Sequence, residues 1–446
     1  MDALRWTPME ALKYGLFMYK QQHLLPGWEQ VLPLSMREEQ ISLKHLFQQE
    51  FSKMIAVISN LFGLQHIETA EDIVSETFLQ ATETWGIKGV PPNPTAWLYA
   101  VAKQKTLYHF RRNRIFEKKV IPEITYRQEL TDDAADVNFS QQHIRDSQLQ
   151  MLFAICTPVI RSEAQIGLAL RILCGFGIDE IAEAFLTNKE TINKRLFRAK
   201  EKLRAEKVTM ELPSEKETGN RLDNVLHIIY LLFSEGYYSK TQNQILRKDL
   251  CLEALRLGLL LTAYERTNQP RTNALIALMC FHASRFNARQ TNEDPFVLYQ
   301  QQNEELWDKD LISQGWHFLN LSAEGNEISS YHLEARIASW HCIKEDTKEK
   351  WEDILRLYDK LLLVNYSPSV ALHRAFALYH AKGPEAALAE AEPLKLENNH
   401  FYFLLLGELY KNMDLPQARL YFRKAYDLAK TATEKQVILD KIAHLS

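Results

Sequence analysis

Cations are the residues best suited to chemistry in this chain. Between Lys189 and Lys207 stand eight of them (Lys189, Lys194, Arg195, Arg198, Lys200, Lys202, Arg204, Lys207) against Glu190, Glu201 and Glu206. Such an excess neutralises phosphates; the competing reading is a solvated helix in a bundle. A second cluster joins Lys103, Lys105, Arg111, Arg112, Arg114, Lys118 and Lys119 to Glu117 alone, interleaved with Trp97, Tyr99, Tyr108, His109 and Phe110. Rings stack on bases while cations track phosphates, which suits single-stranded nucleic acid; Trp97, with Leu98 and Val101, reads as the core face. Asp72, Ser75 and Glu76 share one helical face at i, i+3 and i+4. Paired carboxylates invite acid–base chemistry, but no His, Cys or nucleophile lies near them in sequence, so a protein-docking surface is the better reading. Phosphate-loop, dinucleotide, zinc-protease and nucleophile-elbow motifs are absent. His282, His332, His341 and His380 read as ordinary partly buried histidines. The chain is expected to be no enzyme, with no metal and no cofactor.

These residues need helices to position them. Residues 177–186 read as one short helix, 187–189 as a turn and 190–204 as a second helix, which is helix-turn-helix geometry. Ile181, Ala182, Ile192, Leu196 and Leu203 would pack the pair together. Upstream, residues 41–62 carry apolar side chains at helical spacing. Thr69 is expected to cap a helix over 70–85, with Ile73, Val74, Phe78, Leu79 and Ala81 inward. The breakers in residues 86–94 predict a rigid loop, and Thr95 a cap for a helix over 96–112. Residues 121–147 hold six acids against Arg127 and Arg145 and read as an exposed acidic linker. Helix resumes at Leu149, with breaks at Thr157-Pro158, Cys174–Gly177 and Thr187-Asn188. After Pro213 the pattern stays helical, interrupted at Asn268–Pro270, Asp294-Pro295, Ser367-Pro368 and Gly383-Pro384. Residues 400–428 read as a helix pair with Gly407, Leu409, Tyr410, Ala418, Phe422 and Ala425 at the crossing, echoed by Ala375, Leu378, Ala387, Ala391 and Leu394. This resembles a tetratricopeptide repeat.

With 446 residues, 46% of them hydrophobic, the chain can bury several cores, and wholesale disorder is excluded. Glycine and proline, 15 each, are scarce, which favours helix. A net charge of −4 excludes a uniformly basic nucleic-acid coat. The five cysteines have no CxxC spacing, which argues against a zinc ribbon or disulfide framework and fits a reducing cytoplasm. Neither a signal peptide nor a membrane span is indicated. Residues 1–35 lack a clear period, and the working fold is expected to begin at Met36, residues 1–35 being either an extension or a misassigned start.

Two small helical domains joined by an acidic linker, the first with an aromatic-basic helix and the second with a helix-turn-helix, resemble a bacterial sigma factor of the sigma-70-like, extracytoplasmic-function group. Residues 69–79 (TAEDIVSETFL) look like that family's region-two helix, residues 94–103 (PTAWLYAVAK) followed by Arg111-Arg112 like its promoter-melting helix, and residues 168–204 like region four. The long tail resembles one subgroup with a tetratricopeptide-like C-terminal domain, at residues 231–237 (LLFSEGY), 277–285 (ALMCFHASR) and 306–308 (LWD). The implied organisation is all-α: 1–35 extension, 36–120 region two, 121–147 linker, 148–207 region four and 213–446 helical tail. By the same resemblance Asp72, Ser75 and Glu76 would bind core RNA polymerase. Asn93, in the loop 89–94, would hold a flipped base of the −10 element, with Lys103, Lys105, Arg111 and Arg112 on phosphates. Thr191, Asn193, Lys194, Arg195, Phe197, Arg198 and Lys200 would face the −35 element, Asn and Arg suiting base edges and lysines phosphates. Phe197 either reaches a thymine methyl or belongs to the core. Departures from the family pattern are Ser75 for Gln, Lys103-Gln-Lys105 for an Arg-Asn-Arg-like run, and Tyr108-His109 where Asp and another polar residue are commoner; they bear on promoter choice.

The implied partners are core RNA polymerase and promoter DNA, together with a regulatory protein or an intramolecular contact through the tail. No membrane partner is expected. An ordinary helix-turn-helix regulator with a sensor domain is the alternative, but it leaves the Asp72/Glu76 helix and the acidic linker without a role. A protein-only repeat scaffold would leave both basic clusters unexplained.

Overall fold

Scarce breakers yield helix throughout: no strand occurs among the described residues. The computed structural model describes residues 34–120, 138–185, 187–237, 247–289, 297, 299–430 and 432–445. The chain divides into two units, Met1–Val225 and Leu226–Ser446. Among the described residues no helix is long and apolar enough to cross a membrane.

The first unit is built on α1 (Leu34–Phe62), which packs against α2 (Ile67–Lys88), α3 (Pro94–Val120) and α4 (Gln141–Ile155). Phe51, Met54, Ile55, Ile58, Val74, Phe78, Leu98 and Ala102 have no exposed surface. The rings of Phe47, Phe51 and Phe78 bind the layers, with centroids 4.4 and 5.0 Å apart for Phe47–Phe51 and Phe47–Phe78. The chain continues as α5 (Ser162–Leu168), a π turn over Ala169–Leu173, α6 (Ile178–Ala184) and α7 (Lys189–Ala205).

Several boundaries differ from the sequence reading. The first helix begins at Leu34, ahead of Met36, and residues 1–33 lie outside the described ones. Helix α2 begins at Ile67 because a 3-10 turn, Leu64–His66, runs straight into it, so Thr69 is not the cap. It runs through Gly86 and stops at Gly89, whose φ of 77° is a left-handed conformation that glycine adopts freely. Asn93, not Thr95, caps α3: its Oδ1 accepts a hydrogen bond from Ala96 N at 3.0 Å. Most of the expected linker, 121–137, lies outside the described residues. Its end is helix from Gln141, where Ile144 and Ser147 turn inward.

The second unit follows from α8 (Glu215–Tyr237), in which the boundary falls. Its further helices are α9 (Lys248–Thr262), α10 (Pro270–Ala283), α11 (Phe286–Arg289), α12 (Lys309–Ser322), α13 (Ser330–Trp340), α14 (Lys348–Val364), α15 (Pro368–Lys382), α16 (Pro384–Ala391), α17 (His400–Tyr410), α18 (Leu415–Leu428) and α19 (Ala432–Ala443). Helix α10 is the hub, buried almost all round and packed by α9, α12 and α13. The breaks at 268–270, 367–368 and 383–384 separate helices as expected; 294–295 lies outside the described residues. Helices α17 and α18 form the expected pair, with Leu409, Ala418, Phe422 and Ala425 buried in one cluster.

That pair depends on a missing side chain. A Cβ at Gly407 would lie 2.7 Å from the Phe422 ring. Gly407→Ala is therefore expected to destabilise the second unit by about 1–3 kcal/mol through overpacking. Denaturant unfolding of the full chain measures it, and Phe422→Leu added to Gly407→Ala should recover part of the loss.

Candidate nucleic-acid and protein interfaces

Helices α6 and α7 form the helix-turn-helix pair. Gly177 N donates to Glu180 Oε2 at 2.8 Å and starts α6; Asn188 Oδ1 accepts from Thr191 N at 2.8 Å and starts α7. Ile181, Ala182, Ile192, Leu196, Ala199 and Leu203 are buried between α6, α7 and the neighbouring α5. Thr191, Asn193, Lys194, Phe197 and Arg198 are exposed on the opposite side. Phe197 is 64% exposed, which removes it from the core. Arg195 is half-buried, its guanidinium 5.3 Å from the centre of the Phe185 ring.

Lys200 is not part of that outward set. Its Nζ lies 2.5 Å from Glu71 Oε2, and Arg171 Nε lies 3.0 Å from Glu71 Oε1. Glu71 and Arg171 are 8% and 5% exposed. The π turn places Arg171 there: Cys174 N reaches back to Ala169 O at 3.1 Å, and Arg171 also donates to Phe176 O at 3.2 Å. Arg204 extends the cluster, donating to Gln65 O at 3.1 Å and pairing with Glu68 at 3.0 Å. Burial alone would raise the Glu71 carboxyl pKa; the Arg171 and Lys200 cations outweigh it and hold the group below the ordinary carboxylate range. Two ends of the first unit, α2 and α5–α7, are thereby joined by charge.

Asp72 and Glu76 stand exposed one turn apart on α2. Ser75, expected on the same face, is instead buried at 5% exposure, because it lies on the side of α2 that turns inward with Val74 and Phe78. Burial first, then the neighbouring Glu71 and Glu76 charges, raises the Asp72 pKa. Glu76 pairs with Lys105 across to α3 at 3.3 Å, so one member of the acidic pair meets one member of the basic cluster. Lys103 is half-buried; Arg111 and Arg112 are exposed. Side chains from residue 113 to 120 lie outside the described ones. Asn93 is exposed, but its carbonyl oxygen is spent on the helix cap. Tyr108, absent from the expected site residues, is 68% exposed and lies one turn before Arg111 and Arg112. Among the interleaved rings the others pack away: Trp97 on Trp85 at 5.4 Å, Tyr99 on Phe139 at 4.7 Å, Phe110 on Phe62 at 4.3 Å. The signal that finds Tyr108 is its helical phase, shared with Gln104 and Arg111 at i−4 and i+3.

Removing the buried carboxylate strands two cations. Glu71→Gln is expected to cost about 3–5 kcal/mol in the unfolding of the first unit. Because the folded pKa is depressed, this contribution is complete above the unfolded value of about 4.3 and is lost as pH falls through the folded one. Unfolding curves of wild type and Glu71→Gln should converge below that pH.

Comparison with known proteins falls on this geometry. The family description "Sigma-70 region 2" matches residues 46–115, the span of α1–α3 that carries Asp72, Glu76, Asn93 and the basic cluster. A family of unknown function (DUF6596) matches residues 221–323, from within α8 to the end of α12. An uncharacterized protein of Rhizobium meliloti (strain 1021) is 32% identical over 388 residues, covering 86% of this chain and 91% of that protein. No solved structure matches. The chain belongs to the sigma-70 family, and it shares nearly its whole length with the Rhizobium protein.

Proposed function

We propose that the chain is a transcription initiation factor of the extracytoplasmic-function group, acting in the cytoplasm, that binds core RNA polymerase and directs it to a small set of promoters. The region-2 match, laid over an acidic face and a basic-aromatic helix, carries this reading. Asp72 and Glu76 dock on polymerase. Asn93, Tyr108, Lys103, Lys105, Arg111 and Arg112 engage the −10 element, with Tyr108 supplying a stacking surface. The exposed face of α7, with Thr191, Asn193, Lys194, Phe197 and Arg198, enters the major groove at the −35 element, Arg195 lying at its edge. The second unit, with its Gly407-centred helix pair, is a tetratricopeptide-like regulator.

A distance makes the reading specific. Elements at −10 and −35 stand about 25 base pairs apart, on the order of 85 Å at roughly 3.4 Å per pair. Lys200 lies 2.5 Å from Glu71. The first unit therefore opens at the Glu71 cluster when both elements are read, and Lys200 is a closing group rather than a base reader.

Multi-round transcription with purified bacterial core polymerase on genomic DNA tests the function: new transcripts sharing two upstream elements are expected. Binding of duplex DNA at two-fold symmetric sites without polymerase would point to an ordinary regulator instead. Asp72→Ala with Glu76→Ala should weaken core binding, and Arg198→Ala should cost about 1–3 kcal/mol and blur one base position. Lys200→Gln leaves Arg171 on Glu71 and should raise transcription at limiting core polymerase; a fall would return Lys200 to the DNA interface.

A further inference from the structure

Arg285 follows the hub helix α10, and its side chain is unusual. The residue is 7% exposed, its Nε is buried without a hydrogen-bond partner, and among the described residues it makes no ion pair. Arginine cannot relieve burial by losing its proton, so an uncompensated buried guanidinium is costly.

Its neighbours make the deficit larger. The guanidinium lies 5.6 Å from the centre of the Tyr299 ring, and Lys350 Nζ lies 3.2 Å from the same residue's hydroxyl. Lys350 is 1% exposed and is bound otherwise by carbonyl oxygens, those of Ile343 at 2.6 Å and Glu345 at 3.3 Å. Trp307 stacks on Tyr299 at 6.4 Å; it is 3% exposed, and its Nε1 is a second buried donor without an acceptor. A backbone bond from Asp308 N to Ser284 O, 2.8 Å, holds the Trp307 and Arg285 segments side by side. Lys309 Nζ lies 5.7 Å from the Trp307 ring. Nearby His341 follows the same field: burial, then Arg285 and Lys350, push its pKa down to about 3 and keep the imidazole neutral. Of the acids whose charge reaches Tyr299 and Lys350, Asp346 is bound to the Trp351 indole and Glu304 is exposed to solvent.

Two buried donors without acceptors, set beside two lysines and an aromatic wall, lack one thing: an acceptor that carries negative charge. We propose that Arg285 and Trp307, flanked by Lys309 and Lys350, form a binding site for a small oxyanion, the carboxylate or phosphate group of a free metabolite. The planar guanidinium matches either group with two parallel hydrogen bonds.

Thermal unfolding of the full chain tests this with inorganic phosphate and with acetate, each against chloride at equal ionic strength. A saturable rise in the second unit's melting temperature is expected with at least one of them, and which one identifies the group. Arg285→Gln should raise the half-saturating concentration roughly tenfold or more. Without anion, the same variant should melt no lower than wild type, because it removes an uncompensated charge. Arg285→Lys keeps the charge and loses the fork, and should bind more weakly while remaining folded. No saturable rise with either anion overturns the proposal. So does an Arg285→Gln protein that melts lower without anion yet responds to it as wild type does.

Discussion

One buried carboxylate organises the first unit. Glu71 sits where its own charge is unwelcome, and it stays ionised only because Arg171 and Lys200 approach it from a later part of the chain. Charge in a low-dielectric setting is exacting about geometry. Fixing Lys200 on Glu71 fixes the rotation of α7, and that rotation turns Thr191, Asn193, Lys194 and Arg198 outward. The same cluster joins the Asp72–Glu76 face to the helix-turn-helix pair. The acidic face and the outward face of α7 are thus arranged by one ion cluster that contains neither.

What could be read from the sequence is local. The bounds of α7 fall within one residue of expectation because Asn188 is a strong cap and Ile192, Leu196, Ala199 and Leu203 keep a clean apolar stripe. The α17–α18 pair was legible because small residues recur at its crossing. Long-range pairing was not legible. Lys200 looks like one more cation in a run, and nothing within the run points to a carboxylate 129 residues away. Ser75 failed for a different reason: the i, i+3, i+4 face is wide, and a helix packed on more than one side buries its flank. Arg285 closes the stretch 277–285, but nothing in that stretch shows that its guanidinium is buried. Its interest lies in the acceptors it lacks, which sequence cannot show.

The second unit uses one packing device twice. At Gly407 a Cβ would collide with the Phe422 ring, and at Gly315 with the Phe281 ring, each at 2.7 Å. In both, a backbone lies directly on an aromatic face and the two helices approach closely. Phe281 belongs to the hub helix α10, so α12 is seated there by shape rather than by charge. Both units combine packing with charge: the first sets its ion cluster beside the Phe47–Phe51–Phe78 rings, and the second adds ion pairs such as Arg374–Asp359 and Lys441–Glu408 to these steric fits. Charge clusters respond to salt and pH, whereas steric fits do not.

The π turn at Ala169–Leu173 gives the first unit a memory of its own history. A turn closed by a five-residue rather than a four-residue step holds one residue more than an α-helix does. Deleting Ala169 or Leu170 would close the turn as an ordinary α-helix, but Arg171 would move one position, about 100°, back around the helix axis. Arg171 would then leave Glu71. Insertions and deletions, usually cheapest in loops, would here fall on a helix and be filtered as strictly as a change of a buried charge.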